Sequence, residues 1–325
     1  MQATRRQFVM LPAALAAASA GLPAFGQAYP AKPVKVIIPY SPGSNPDLGG
    51  RILMQGLSDK LGQSFVPDTR IGAGGAVGLS AAAKSAPDGY TLVIGHVGGL
   101  AINPSIYDKL PYDPLTDFVP VAQIYKSPLL LVVAENSPYR SVADIVAAAK
   151  AKPGEITFSS GGNGNGAHLS GELLASLGKV SMRHIPYKTV SDALVGVASG
   201  DATFSFGNIS LSVPLVQGKK LRAIAFSGDS RVSEYPSIPT VAESLKDFEF
   251  QDWSGILAPV GTPAPILAKL AQEIVAVAAQ PEQTRNLRAA GLIPVQSSPQ
   301  AFRNFIASEG AKWGALSKSI NLKLS

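Results

Sequence analysis

The strongest constraint on the fold is a repeated pattern: a continuous apolar run, then a glycine-rich loop, then a helical periodicity. Residues 32–40, KPVKVIIPY, lead into the loop 41–47, after which leucines recur at 53, 57 and 61. Residues 155–158 lead in the same way into the loop 159–168, and further apolar runs follow along the chain. Such alternation predicts α/β layers with largely parallel sheets.

Several helix ends can be predicted from single residues. Asn45 is expected to cap the first helix, with Pro46 at its first position and Gly62 as its stop signal. Ser141 followed by Asp144 is typical of a capping box that opens a later helix.

The N-terminus has the layout of an export signal. Arg5 and Arg6 precede an apolar run and a stretch of small residues, and the surrounding TRRQFV resembles the twin-arginine export pattern. Cleavage is expected near residues 26–28, so residues 1–28 are excluded from the fold. The remainder of the 325 residues, in a chain that is 46% hydrophobic and 15% charged, suffices for two lobes.

Composition argues against several function classes. The chain has no cysteine, three scattered histidines and no HExxH or GxSxG pattern, so the sequence predicts no enzyme, no metal site and no cofactor. The formal charge of +6 includes Arg5 and Arg6, and no lysine-arginine run predicts a nucleic-acid partner. The modest positive charge fits a pocket for anions.

The glycine loops are candidates for that pocket. In FSSGGNGNGAH, residues 158–168, glycine lets a ligand approach the main chain, and a helix start presents unpaired N–H groups. The loop 41–47 has the same ingredients. Two such loops, one in each lobe, are expected to hold an anion; the alternative is that their glycines only make tight turns.

Phrases along the whole mature chain carry a resemblance. They are YP at 29–30, KPVKVIIPYSPG, RIGAGGAVG, APDGYTL, AINPSIYDKLPYDPLTDFVPVA, HIPYK and PSIPTVAE. Together they resemble the Bug or TctC family, the periplasmic solute-binding proteins of tripartite tricarboxylate transporters.

The resemblance implies an α/β, two-lobed periplasmic binding protein fold that is type II-like, with a ligand cleft between the lobes. Lobe 1 would comprise 29–123 and 253–325, and lobe 2 would comprise 124–252. The protein would be a monomer that captures a small carboxylate in the periplasm and delivers it to integral membrane transporter subunits. The ligand stays open between an aromatic dicarboxylate such as terephthalate and aliphatic di- or tricarboxylates. The alternative function is a ligand-sensing accessory protein for a signalling receptor.

The resemblance also implies where the ligand lies. The first loop departs from the family pattern because Ser44, Asn45 and Pro46 stand where glycine or threonine is common, and His96 and Thr189 are departures in two other loops. The predicted ligand-binding residues are Tyr40, Ser41, Gly43, Ser44, Asn45, Asp47, His96, Val97, Ser160, Gly161, Asn163, Asn165, His168, Thr189, Phe206 and Asn208.

Overall fold

The computed structural model describes residues 29–320 and 322–323. The predicted export signal over residues 1–28 lies outside the described residues and stays a prediction. Within the described part of the chain, no helix is both long and apolar enough to cross a membrane.

Helices and strands alternate along most of the chain. The strands, β1 to β11 in chain order, are Val34–Ile38, Phe65–Thr69, Thr91–His96, Phe118–Ser127, Leu130–Ala134, Thr157–Ser160, Arg183–Pro186, Phe204–Gly207, Leu221–Phe226, Asp252–Pro259 and Ile293–Pro294. The α-helices, α1 to α10, are Asn45–Leu61, Ala76–Ala83, Asn103–Ile106, Val142–Ala151, Gly166–Gly178, Val190–Ser199, Ile209–Gln217, Ala264–Ala278, Pro281–Ala289 and Pro299–Ser319.

The strands form two sheets with the same internal order. The first sheet runs β11-β4-β10-β3-β1-β2, and the second runs β7-β6-β8-β5-β9. In each sheet the strand by which the chain enters from the other sheet, β10 or β5, is inserted between two strands of that sheet. The chain therefore crosses between the sheets twice, after β4 and after β9.

The sheets are mixed, so the prediction of largely parallel sheets is wrong. Strands β1, β2 and β3 pair in parallel, as do β6, β7 and β8. The inserted strands β10 and β5 pair antiparallel with both neighbours, and β11 is antiparallel to β4. A strand that arrives from the other sheet enters from the opposite end, and the local strand–helix pattern carries no signal of this.

The lobe boundaries stay a prediction. Each of them falls within a strand of the first sheet, β4 or β10. The predicted boundary between residues 123 and 124 falls inside β4, whose whole length pairs within the first sheet with β10. The return boundary at 252–253 falls at the beginning of β10.

Helix ends follow local chemistry, with one correction. Gly62 ends α1 in the left-handed region at φ 66°, and Ser141 and Asp144 form the predicted capping box. Asn45 is not the cap of α1: Ser44 occupies that position with extended backbone, and Asn45 is the first helical residue. Serine and asparagine both suit a cap, and the structure gives the asparagine side chain a distant partner instead.

A buried carboxylate ties the last helix to the inserted strand of the first sheet. Glu309 on α10 accepts hydrogen bonds from the indole nitrogens of Trp253 at 2.9 Å and Trp313 at 3.0 Å. Both tryptophans are fully buried, and Trp313 packs against Phe250 just before β10. The start of β10 is therefore anchored from behind, on a chain that forms one compact unit from Lys32 onward.

Candidate ligand-binding site

A cavity of about 610 Å³ lies between the two sheets. Its walls come from the loop between β1 and α1, the end of β3, the start of β10, and the loops that open α5, α6 and α7. Strand ends and helix starts meeting at a cleft are the usual setting of small-molecule sites in α/β proteins. The volume is in the range of pockets that enclose a small organic molecule.

The second-sheet side of the cavity is built from backbone at two helix starts. Gly166 and Ala167 are the first two residues of α5, Val190 and Ser191 are the first two of α6, and all four line the cavity. The N–H groups at these positions have no partner within a helix. They also lie at the positive ends of the helix dipoles, so this wall favours an anion.

The side chains that cap these helices leave those first positions open. Asn165 accepts from the N–H of His168 at 2.9 Å, and Thr189 accepts from the N–H of Asp192 at 3.1 Å. Each cap thus satisfies only the third N–H of its helix. Asn208 precedes α7 but makes no capping hydrogen bond, and it lines the cavity. Its amide is therefore available to a ligand.

The first-sheet loop uses its own donors internally. The Gly43 N–H donates to the Asp47 carboxylate at 2.9 Å, and the Ser44 N–H and hydroxyl both donate to the Ser41 carbonyl. Pro46, the second residue of α1, has no N–H to offer. This loop therefore shapes the cavity but presents fewer backbone donors than the second-sheet side.

On the first-sheet side, the cavity is lined by three polar side chains that are hydrogen-bonded to one another. The Asp252 carboxylate accepts from the Asn45 amide at 2.7 Å, and its other oxygen is hydrogen-bonded to His96 Nε2. The Gly98 N–H donates to His96 Nδ1 at 3.2 Å, which assigns the imidazole proton to Nε2. All three side chains line the cavity. Across the described residues, no three histidine and acidic side chains are grouped so as to hold a metal ion.

Aromatic rings supply much of the apolar wall. Phe206 and Phe250 line the cavity and are buried, and Tyr40 meets His96 edge-on with ring centroids 4.9 Å apart. Burial raises the pKa of the Tyr40 phenol well above its usual value, and the Tyr112 phenol and Asp252 carboxylate nearby add to the rise. Tyr40 is therefore a neutral wall residue.

Eleven of the sixteen residues predicted to bind ligand line this cavity. They are Tyr40, Ser41, Gly43, Ser44, Asn45, His96, Gly161, Asn165, Thr189, Phe206 and Asn208. The structure thus brings together residues from five separate loops, as the sequence predicted. Their contact with a ligand remains a prediction.

Three of the other five lie away from the cavity lining for plain reasons. Asp47 is buried under the first loop, where it accepts from the Gly43 N–H and from Arg51 at 2.7 Å. It therefore braces the loop from within α1 and does not face the cavity. Val97 is fully buried in the core, and Asn163 is exposed at the tip of its loop.

The remaining two, Ser160 and His168, form a buried support beneath the second-sheet loop. Ser160 donates to the Gly162 carbonyl at 2.9 Å and contacts His184 Nε2 at 2.7 Å. His168 Nδ1 accepts from the Gly164 N–H at 3.0 Å, and its ring stacks on His184 with centroids 3.9 Å apart. Both hold the loop from within and do not face the cavity.

Sequence reasoning missed Asp252, Lys188 and Phe250, which all line the cavity. Lys188 belongs to the phrase HIPYK and precedes the cap of α6, so a cation beside a predicted helix start was the available signal. Asp252 gave no local signal, because its hydrogen-bond partners lie 156 and 207 positions away in the chain.

Comparisons with known proteins find a matching family model, related sequences and similar solved structures. Residues 50–322 match the family model of the tripartite tricarboxylate transporter family receptor, TctC. Protein BugT of Bordetella pertussis is 33% identical over 312 residues, which are 95% of this chain and 96% of that protein. The solved structure of R. palustris Rpa4515 with adipate has a TM-score of 0.82 and 33% sequence identity. The alignment covers 91% of this chain and 99% of that chain.

A second solved structure is MatC (Rpa3494) from Rhodopseudomonas palustris with bound malate. It has a TM-score of 0.77 and 28% identity, and the alignment covers 89% of this chain and 99% of that chain. Both of these solved structures thus hold a small carboxylate.

Proposed function

Because this chain belongs to the TctC family of tripartite tricarboxylate transporter receptors and has their two-lobed α/β fold, we propose that it captures a small organic carboxylate between its two sheets and delivers it to a membrane transporter. The family is one of periplasmic solute-binding proteins, and the resemblance found in the sequence is confirmed. We propose the periplasm as the site of action, after export through residues 1–28. We expect no turnover of the ligand.

One observation carries the proposal. The first residues of α5 and α6, whose N–H groups have no helical partner, line one cavity together with Asn208, whose side chain makes no capping hydrogen bond. Among the residues that the structure describes, the cavity lining contains one lysine, Lys188, and no arginine. A carboxylate suits such a wall, since neutral donors and helix dipoles neutralise a single small anion without a fixed ion pair.

The number of donors is sufficient. A hydrogen bond to a charged group contributes about 1.5–3 kcal/mol net, and micromolar binding requires about 8 kcal/mol. Four or five such bonds supply about 6–15 kcal/mol before an association cost of at least about 4 kcal/mol, so bonds in the upper half of that range are sufficient. Burial of a carbon skeleton against Phe206 and Phe250, whether aliphatic or aromatic, adds to it.

Capture requires that the two sides of the cavity approach each other. The chain crosses between the sheets at two places, which suits a hinge. We propose that closure brings the side chains of the first-sheet side onto a carboxylate already held by the second-sheet side. The closed form would then be the one that docks on the transporter as a monomer.

Asn208→Asp tests the anion wall. The new carboxylate would face the cavity, and we expect calorimetric affinity for the best acid of a panel containing malate, adipate, citrate and terephthalate to fall at least about 30-fold, the loss of one charge-assisted bond plus repulsion. Aspartate is also a good helix cap, so the thermal midpoint should not fall.

Ser141→Asp is the matched control. It also places an aspartate at a helix cap, that of α4, which does not line the cavity, and it should leave affinity unchanged. Equal affinity in the Asn208→Asp and parent proteins would contradict the site. Deletion of the gene should abolish uptake of the acid, whereas loss of gene induction with intact uptake would indicate a sensing role.

A further inference from the structure

The Asp252 cluster is an unusual element in a cavity for anions. Asp252 is the first residue of β10, and its side chain is only 8% exposed. Its two oxygens accept from the Asn45 amide and from His96 Nε2, and the Gly98 N–H occupies the remaining nitrogen of His96. Because both partners act as donors, the arrangement is that of an ionised carboxylate.

Neither partner cancels the charge of this carboxylate. The Asn45 amide is neutral, and an imidazole that accepts at Nδ1 and donates from Nε2 is neutral as well. The one lysine in the cavity lining, Lys188, stands at the start of α6 on the second-sheet side. The cavity is therefore polarised, with a negative group on the first-sheet side and positive helix starts with a lysine on the other.

The carboxylate also has unused acceptor capacity. Each carboxylate oxygen can accept two hydrogen bonds, and each oxygen of Asp252 accepts one from the side chains just named. Since Asp252 lines the cavity, a donor on the ligand can take a remaining position. A second ionised carboxylate on the ligand would instead meet a like charge there.

We propose that Asp252 selects carboxylates that also carry a hydrogen-bond donor, an ammonium or a hydroxyl group. The inference rests on the proposed function: the anionic end lies at the starts of α5 and α6, and the donor lies at Asp252. Asn45 and His96 act as positioning residues, because they hold the acceptor in place before the ligand arrives. Plain dicarboxylates without a donor are then the poorer ligands.

The test uses acids that share one carbon skeleton. Succinate, malate and aspartate share a four-carbon skeleton. Succinate has no substituent, malate carries a hydroxyl group and aspartate carries an ammonium group. Adipate and 2-aminoadipate form a longer pair of the same kind. We expect calorimetry on the unaltered protein to give at least about tenfold tighter binding of a donor-bearing acid than of the unsubstituted acid, as one hydrogen bond to a charged group would produce.

Asp252→Asn should remove that preference while keeping the shape of the side chain. The ratio between substituted and unsubstituted acid is expected to fall to within about threefold, the range of a neutral hydrogen bond or less. The ammonium-bearing acid should lose more affinity than the hydroxyl-bearing one, because it also loses the attraction between its positive charge and the carboxylate of Asp252. Asp201→Asn, at an exposed aspartate outside the cavity, should leave every ratio unchanged.

The outcomes separate the two proposals. If the unaltered protein binds the unsubstituted acids as tightly as the substituted ones, the role of Asp252 is refuted while the proposed function stands. The same holds if Asp252→Asn binds ligand with unchanged ratios, since Asp252 would then only brace β10 against β3 and α1. If none of these acids or the earlier panel binds, the proposed function fails and this inference with it.

Discussion

The two sides of the cavity have the same topology and opposite construction. Both sheets place an inserted antiparallel strand between their third and fourth strands, and both direct strand ends and helix starts at the cleft. The second-sheet side brings to the cavity the first residues of α5 and α6, whose N–H groups have no helical partner. The first-sheet side brings the hydrogen-bonded side chains of Asn45, His96 and Asp252.

This difference separates affinity from selectivity. Backbone donors at a helix start recognise any carboxylate, because every residue type supplies the same N–H group. Side chains such as Asp252 can differ from one family member to another without altering the fold. We therefore expect substitutions on the second-sheet side to change affinity for all acids together, and substitutions on the first-sheet side to change their order.

The largest expected effect on the second-sheet side comes from Gly161→Ala. A Cβ at this position would lie 2.7 Å from the Val190 backbone nitrogen and 3.0 Å from the Thr189 carbonyl carbon, so the loop must move off the start of α6. Overpacking of this kind costs about 1–3 kcal/mol of stability. We expect affinity for all acids to fall about 30-fold or more in calorimetry, as two hydrogen bonds to the carboxylate are weakened.

Gly310→Ala is the control for that change. Gly310 lies inside α10, and a Cβ there would meet nothing within 4 Å. Alanine should raise the free energy of unfolding by up to about 1 kcal/mol through helix propensity, and ligand affinity should stay the same. Loss of affinity for some acids but not others in Gly161→Ala would break the division between the two sides.

An intermediate effect is expected from acidification, through the histidine pair beneath the second-sheet loop. Burial, assisted by the nearby His168 and partly opposed by Glu172, lowers the pKa of His184 from 6.5 to about 4. The folded protein therefore binds fewer protons than the unfolded chain between these values. Stability should fall as the pH drops from about 6.5 towards 4, by about 1–2 kcal/mol after allowance for partial solvent screening.

Urea unfolding at a series of pH values measures this loss. His184→Gln keeps a donor for Ser160 and removes the titrating group, so its stability should change less over the same interval. If the free energy of unfolding of His184→Gln falls with pH as steeply as that of the parent, other groups cause the acid sensitivity and the role of His184 is refuted.

The smallest expected effect comes from Lys188→Gln. Lys188 is exposed at the cavity lining, where its charge is screened by water and salt. We expect a two- to fivefold loss of affinity, or less than about 1 kcal/mol, that diminishes in high salt. Lys150→Gln, at the exposed end of α4, should have no effect. A loss above about 30-fold would mean that one ion pair, rather than the helix starts, holds the anion.

Local sequence signals were sufficient for much of the fold. The helix stop at Gly62 and the capping box at Ser141 follow from chemistry within four or five residues, and the structure confirms both. The two glycine loops lie between a strand and a helix, and their contact with an anion remains a prediction. Asn45 was misplaced by one position, because two consecutive good capping residues precede Pro46. The direction of β5 and β10 depends on the path between sheets, which local pattern does not encode.

The candidate site was predictable where backbone builds it and not where distant side chains build it. Glycine and asparagine after an apolar run predict the loops that follow strands. Eleven of the residues predicted to bind ligand line the cavity. Asp252 becomes recognisable only when β10 lies beside β3, which brings His96 and Asp252 together across 156 positions. Ser160 and His168 carry the right atoms, but the structure turns them inward, towards Gly162 and Gly164.

The shared attachment of the two indoles to Glu309 gives this protein a built-in optical reporter. Trp253 and Trp313 are the only tryptophans in the sequence, and Trp253 directly follows Asp252 in the chain. Any rotation of one sheet against the other that disturbs the start of β10 should alter the emission of a buried indole bonded to a charged acceptor. Intrinsic fluorescence can therefore follow ligand-driven movement in solution without an added dye.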